Sequence, residues 1–241
     1  KQKTAYEIRL SLVGSEMCIR DRGVTGVHAV PPAFIAQQID TLFADVAIAA
    51  VKIGMVGTAG GSDAVAACLE RHRPPVVVLD PVMVAKSGDS LLAADAVAAL
   101  RRRLIPLATV LTPNLEEAAV LLDEPMIDHA SDMPDLARRL KALGPAFIYV
   151  KGGHLGGTTS PDLVFDGIAM LELPGPRIAT RNTHGTGCTL SSAIAALLAQ
   201  GGDPWTAFRA AKDYISGALA HADELSVGRG HGPVHHFHAL W

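Results

Sequence analysis

Residues 76–83 read Val76-Val77-Val78-Leu79-Asp80-Pro81-Val82-Met83. Four consecutive apolar residues leave no polar side for water, so the run predicts a strand buried on both faces, as strands of parallel sheets are. An acid then stands at the C-terminal end of that strand, where open parallel sheets bind their ligands.

On either side, apolar stretches of two periods alternate. Phe34, Ile35, Ile39, Leu42 and Phe43 recur at helical spacing, and 47–53 reads as a short strand. Ser62 and Asp63 offer caps for a helix through about Arg71 that leads into the central run. Beyond it, a helix over 94–104 precedes a strand at 109–111, and a helix over 115–122 follows. A further helix, 136–143, ends at Gly144 before a strand at 147–150. Such alternation predicts a mainly parallel sheet with helices on both faces. Over 163–178 the pattern becomes strand, Gly turn, strand, as in Val164-Phe165-Asp166-Gly167-Ile168, a hairpin that makes one edge of the sheet mixed. Two helices close the chain, 186–199 ended by Gly201-Gly202, and 204–222 with Pro204 in its first turn. With no internal repeat or linker, 23–241 reads as one domain.

The 241 residues are 49% hydrophobic and 19% charged, with a formal net charge of -3, which excludes disorder as the main state. A near-neutral balance supplies no basic field for nucleic acid or anionic membranes, so the expected partner is a small molecule. Charges or Gly/Pro pairs break every apolar run before the roughly 18 residues a membrane span needs. Glu7, Arg9, Glu16, Arg20 and Asp21 interrupt any secretion signal. Cys18, Cys68 and Cys188 form an odd set with no disulfide framework, which fits a reducing cytoplasm.

The chemistry concentrates in Asn182-Thr183-His184-Gly185-Thr186-Gly187-Cys188-Thr189, a glycine-bearing loop that runs into an apolar helix. Glycines let backbone N–H groups converge on an anion, and the helix start adds about half a positive charge. No Lys follows the last Gly as in a Walker loop, and the motif stands too late for a dinucleotide fingerprint. By itself it reads better as a tight turn before a capped helix. Three further strand ends keep it company: Asp80; Thr112-Pro113-Asn114-Leu115-Glu116-Glu117; and Lys151-Gly152-Gly153-His154. Acid, amide and lysine at strand ends suit a metal and a polyphosphate. Taken singly, Asp80 is a turn cap, Asn114 and Glu117 a capping box, and Lys151 a solvated charge. His235, His236 and His238 cluster near Trp241 without a Cys or acid to complete a metal set, and read as a packed tail.

Together, NTHGTGC, KIGM, LDPVMVAKSG, TPNLEEA, KGGH and GPVHHFH resemble the bacterial hydroxymethylpyrimidine and phosphomethylpyrimidine kinases of thiamine biosynthesis, across nearly all of 23–241. The sister pyridoxal kinases usually carry Asp where Cys188 stands. The resemblance implies a ribokinase-like three-layer α/β/α sandwich with a mainly parallel, mixed-edge sheet, ATP with Mg2+, a homodimer, and two successive phosphorylations. It makes Cys188 the base beside the substrate hydroxymethyl group, with Gly185, Thr186 and Gly187 as the N–H cradle. A helix start is expected to lower the thiol pKa. Met55 and Val82 would pack the pyrimidine ring, with ordinary core packing as their alternative. Asp80, Asn114 and Glu117 would hold the water shell of Mg2+. Lys151 would neutralise the ATP phosphates, with Thr183 and Gly185 also at the nucleotide. Val227-Gly228-Arg229-Gly230 would lie near the adenine.

Residues 1–22 depart from this pattern. They alternate charges densely, resemble a sequencing-adapter read-through, and are read as a non-native or unstructured segment. The family's opening strand with its GTDPSGGAG-type loop and its Gln-Asn-Thr run do not appear, so 23–241 is expected to lack a first strand-helix unit and the chain to show weak kinase activity or none. A pyridoxal or dual-specificity kinase, and a non-catalytic nucleotide or pyrimidine binding protein, remain as alternatives.

Overall fold

The computed structural model describes residues 16–20, 23–83, 92–226 and 230–240. Residues 227–229 of the expected adenine loop, and 84–91, which include the last five residues of the LDPVMVAKSG motif, lie outside the described residues. A two-stranded antiparallel ribbon, β1 (Glu16–Arg20) with β2 (Gly23–His28), opens the described chain. Five of the 22 residues that the sequence sets apart are therefore paired strand.

The main sheet has six strands in the order β3 (Val51–Ile53), β4 (Val77–Leu79), β5 (Val110–Leu111), β6 (Phe147–Lys151), β7 (Asp162–Phe165), β8 (Met170–Leu173). β3 to β6 pair in parallel, whereas β7 and β8 are antiparallel neighbours, as the hairpin pattern predicts. Gly167, in a left-handed conformation at φ 108°, makes their turn.

Alternation along the strands divides the core into two halves. Leu79, Leu111, Ile148 and Val150 face one side, against α2 (Ala59–His72), α3 (Ala94–Ala99), α4 (Leu115–Leu122) and α5 (Met133–Lys141). Val78, Val110, Tyr149 and Val164 face the other, against α6 (Thr186–Leu198) and α7 (Pro204–Ala220). The result is the three-layer sandwich of the ribokinase-like fold. α1 (Pro32–Asp45) packs on α2, and no helix among the described residues is long and apolar enough to cross a membrane.

The strand expected at 47–53 is confined to Val51–Ile53, and the helix expected at 136–143 runs Met133–Lys141; two other boundaries differ for a visible local reason. α2 starts at Ala59, with the Thr58 hydroxyl accepting from Gly61 N at 3.0 Å, and Ser62 and Asp63 lie inside its first turns. Gly60 and Gly61 look like helix breakers but serve close approach: a Cβ at Gly60 would stand 3.1 Å from the Pro32 ring of α1. α3 is shorter than 94–104, because residues Leu100–Leu104 continue it as a wider π turn.

Candidate functional site

The parallel strands end on one side of the sheet, and their C-terminal ends carry the polar residues that the core excludes. Asp80 follows β4 and is 1% exposed. Its Oδ1 lies 2.8 Å from Lys151 Nζ at the end of β6 and accepts from the Thr112 hydroxyl, after β5, at 3.3 Å. Its Oδ2 accepts from Ser191 of α6 at 3.1 Å and faces Lys52 of β3 at 3.8 Å. One buried carboxylate thereby ties three strand ends to the helix behind the glycine loop.

Asn114 and Glu117 make a full capping box at the start of α4. Asn114 Oδ1 accepts from Glu117 N at 2.8 Å, and Glu117 Oε2 accepts from Asn114 N at 2.8 Å. The same Glu117 oxygen is 3.6 Å from Lys151 Nζ. The capping box, one of the readings of these residues in the sequence, is formed, and it aims the Glu117 carboxylate at the lysine.

Gly185 caps α6 in the left-handed region, φ 82°, which lets the chain turn sharply from loop to helix. Thr186 donates its hydroxyl to Thr183 O at 2.7 Å, closing the loop on itself. Gly187 lies where a Cβ would come within 3.3 Å of Lys151 Nζ and 4.0 Å of Asp80 Oδ2. A side chain there would fill the space between loop and ion pair. The C-terminal tail braces the loop from outside: His184 N donates to Gly232 O at 3.0 Å, and Thr189 Oγ1 meets His236 Nε2 at 3.0 Å.

Opposing forces set the charges. Burial pushes Asp80 up, but Lys151 and Lys52 pull harder and leave it below the usual carboxylate range. Burial pulls Lys151 down, and Asp80 with Glu117 outweighs it, so the ammonium is held above its ordinary value. Glu117 goes the other way, pushed up by burial despite Lys151. Cys188 is solvent-exposed as a residue, yet protein crowding its thiol pushes it up, against the pull of Lys52 and Lys151. The expected lowering at the helix start is therefore overridden by desolvation.

Met55 and Val82 sit half-buried just beyond β3 and β4, outside the two core clusters. A cavity of about 690 Å³ opens between α6 and α7 and is walled by Gly185, Cys188, Thr189, Tyr214 and His236 among others. Asp80 and Lys151 are not in its walls, so it meets the charged centre only at the glycine loop. The sequence pattern singled out neither Lys52 nor Thr112 nor Ser191 as site residues, although KIGM and TPN contain the first two.

With this geometry in place, the comparison with known families is direct: the model of the phosphomethylpyrimidine kinase family matches residues 10–235. The chain belongs to this family. It is therefore a kinase by descent. The hydroxymethylpyrimidine/phosphomethylpyrimidine kinase of Escherichia coli (strain K12) is 47% identical over 231 residues, 96% of this chain and 87% of that protein. Bacillus subtilis pyridoxal kinase, solved as an ADP complex, superposes with a TM-score of 0.84 at 30% identity, over 95% of this chain and 85% of that one. The phosphomethylpyrimidine kinase of Clostridium difficile 630 superposes with a TM-score of 0.74 at 34% identity, over 85% and 84% of the two chains. Family relatives also include bifunctional thiamine-biosynthesis proteins, which this chain matches over less than half their length.

Proposed function

We propose that the chain transfers the terminal phosphoryl group of ATP to 4-amino-5-hydroxymethyl-2-methylpyrimidine and then to the resulting monophosphate, giving the diphosphate used in thiamine biosynthesis. The observation that carries this reading is the closeness of Gly187 to the Lys151–Asp80 pair, which sets an anion loop and a buried cation side by side. Phosphoryl transfer depends chiefly on alignment and charge neutralisation. N–H groups of Gly185 and Gly187 at the α6 start, with the Lys151 ammonium, meet the phosphate oxygens from two sides, whereas the Thr186 N–H expected beside them turns back to Thr183 O at 3.4 Å. Thr183 and Gly185 fix the loop at the nucleotide.

Mg2+ suits the same corner. Asp80 and Glu117 supply hard oxygen donors, and every Asp80 oxygen already has protein partners, which favours contact through water. Asn114 enters through the cap that aims Glu117. When bound, the ion neutralises charge building between the phosphates.

In the first transfer, the hydroxymethyl oxygen bonds to the terminal phosphorus as the bond to the departing ADP oxygen breaks. Cys188, where ionised, takes the hydroxyl proton. The second transfer needs no base, since a phosphate monoester oxygen is already ionised. Met55 and Val82, half-buried beyond the strand ends, would hold the pyrimidine ring. The family resemblance supports a cytoplasmic homodimer. A pyridoxal kinase is the second reading, favoured by the fold's likeness to the Bacillus subtilis enzyme; the higher identity to the Escherichia coli protein favours the pyrimidine. Two equivalents of ADP released in sequence per hydroxymethylpyrimidine test the assignment. A reaction that stops after one would remove the second step.

A further inference from the structure

Behind Lys151 lies a second buried ion pair with no part in the reading above. β6 and β7 pair so that Lys151 stands opposite Asp162, the first residue of β7. Asp162 is 5% exposed, and its carboxylate is fully engaged. Oδ2 accepts from Lys212 Nζ at 2.8 Å and from the Tyr149 hydroxyl at 2.9 Å. Oδ1 accepts from Gly152 N at 3.0 Å. Lys212, on α7 and 8% exposed, also donates to Ser160 O at 2.9 Å.

Gly152, the residue after Lys151, has no space for a side chain: a Cβ would fall 1.9 Å from Pro161 O. The backbone just past Lys151 is thus pressed against the entry of β7 and bonded to Asp162. Buried ion pairs are weak contributors to stability, and well-packed apolar residues often replace them without loss. Their distinctive property is directional geometry, and here the geometry ends on the backbone that carries Lys151.

We infer that Asp162 and Lys212 are positioning residues, which fix the end of β6 so that the Lys151 ammonium stands at the nucleotide phosphates. This rests on the reading of Lys151 as the residue that meets those phosphates. Displacement by about 1 Å can cost up to a hundredfold in a site of this kind. Lys212 acts through Lys151 and touches no reacting group.

The test is the dissociation constant of Mg2+-ATP, titrated calorimetrically on the full chain and on Lys151→Met, Lys212→Met and the double variant, with folding checked by circular dichroism. Lys212→Met is expected to weaken ATP about tenfold, and Lys212→Arg to recover most of that. In the Lys151→Met background, Lys212→Met should cost less than about twofold more, because the residue it positions is gone. Equal losses in both backgrounds would mean a general structural role and would overturn the inference. Unchanged affinity in Lys151→Met would instead defeat the phosphate reading itself, and the inference with it. Should Lys212→Met not fold, Tyr149→Phe removes one hydrogen bond to Asp162 at nearly constant volume. A loss of about threefold is then expected in the wild-type background and none in Lys151→Met, and no loss in a folded Tyr149→Phe protein would equally overturn the inference.

Discussion

Lys151 Nζ stands 2.8 Å from the Asp80 carboxylate, and the space beside the pair is kept open by a glycine, Gly187, at the start of α6. A methyl group there would lie 3.3 Å from the ammonium, close enough to displace it by a few tenths of an ångström. Gly187→Ala should therefore separate stability from activity. Alanine favours a helix over glycine by up to about 1 kcal/mol, so the melting temperature should not fall. Turnover should drop about tenfold or more, since the displaced group is the one proposed to meet phosphate. Steady-state kinetics beside thermal melting checks both halves.

Cys188→Ala should depress the first phosphorylation more than the second. Only the hydroxymethyl group has a proton to lose, and general-base assistance is worth roughly a hundredfold or more. Initial rates with hydroxymethylpyrimidine and with its monophosphate make the comparison, and equal losses would count against the base.

The same thiol sets a pH dependence. Its pKa is pushed above the ordinary range, so at neutral pH the proton is on sulfur and the base form is scarce. The first phosphorylation should accelerate as pH rises past the ordinary thiol value of about 8.5, while the second lacks this limb. Paired pH–rate profiles over the alkaline range would show it.

Lys52 shapes that limb. It pulls the Cys188 thiol down and helps hold Asp80 ionised. Lys52→Met should shift the alkaline rise of the first reaction to still higher pH. A limb that stays in place would separate Lys52 from the thiol.

Much of this was legible along the chain. The run 76–79 declares a buried strand because it has no polar side, and Asp80 stands out because a charge there breaks that rule. Gly185 and Gly187 before an apolar helix declare the loop, and the structure gives the first a left-handed backbone and the second a crowded setting. Asn114 and Glu117 were readable as a capping box, and the box is formed. What escaped is what long-range packing decides. Lys212 and Asp162 are 50 residues apart, and each alone reads as a surface charge. Lys52 in a three-residue strand gives no periodic signal of burial or exposure. The Cys188 pKa depends on how closely protein crowds the sulfur, which overrides the local helix start. Thr58 was missed as a cap because Gly60 and Gly61 look like breakers, whereas the missing side chain of Gly60 admits α1 and that of Gly61 leaves room for Thr58 and Val56.

The most direct measurement is single-turnover transfer of radiolabelled terminal phosphate from ATP with Mg2+ to hydroxymethylpyrimidine, its monophosphate and pyridoxal, side by side. Label should appear on both pyrimidines at rates well above that on pyridoxal. Faster labelling of pyridoxal than of either pyrimidine would contradict the assignment.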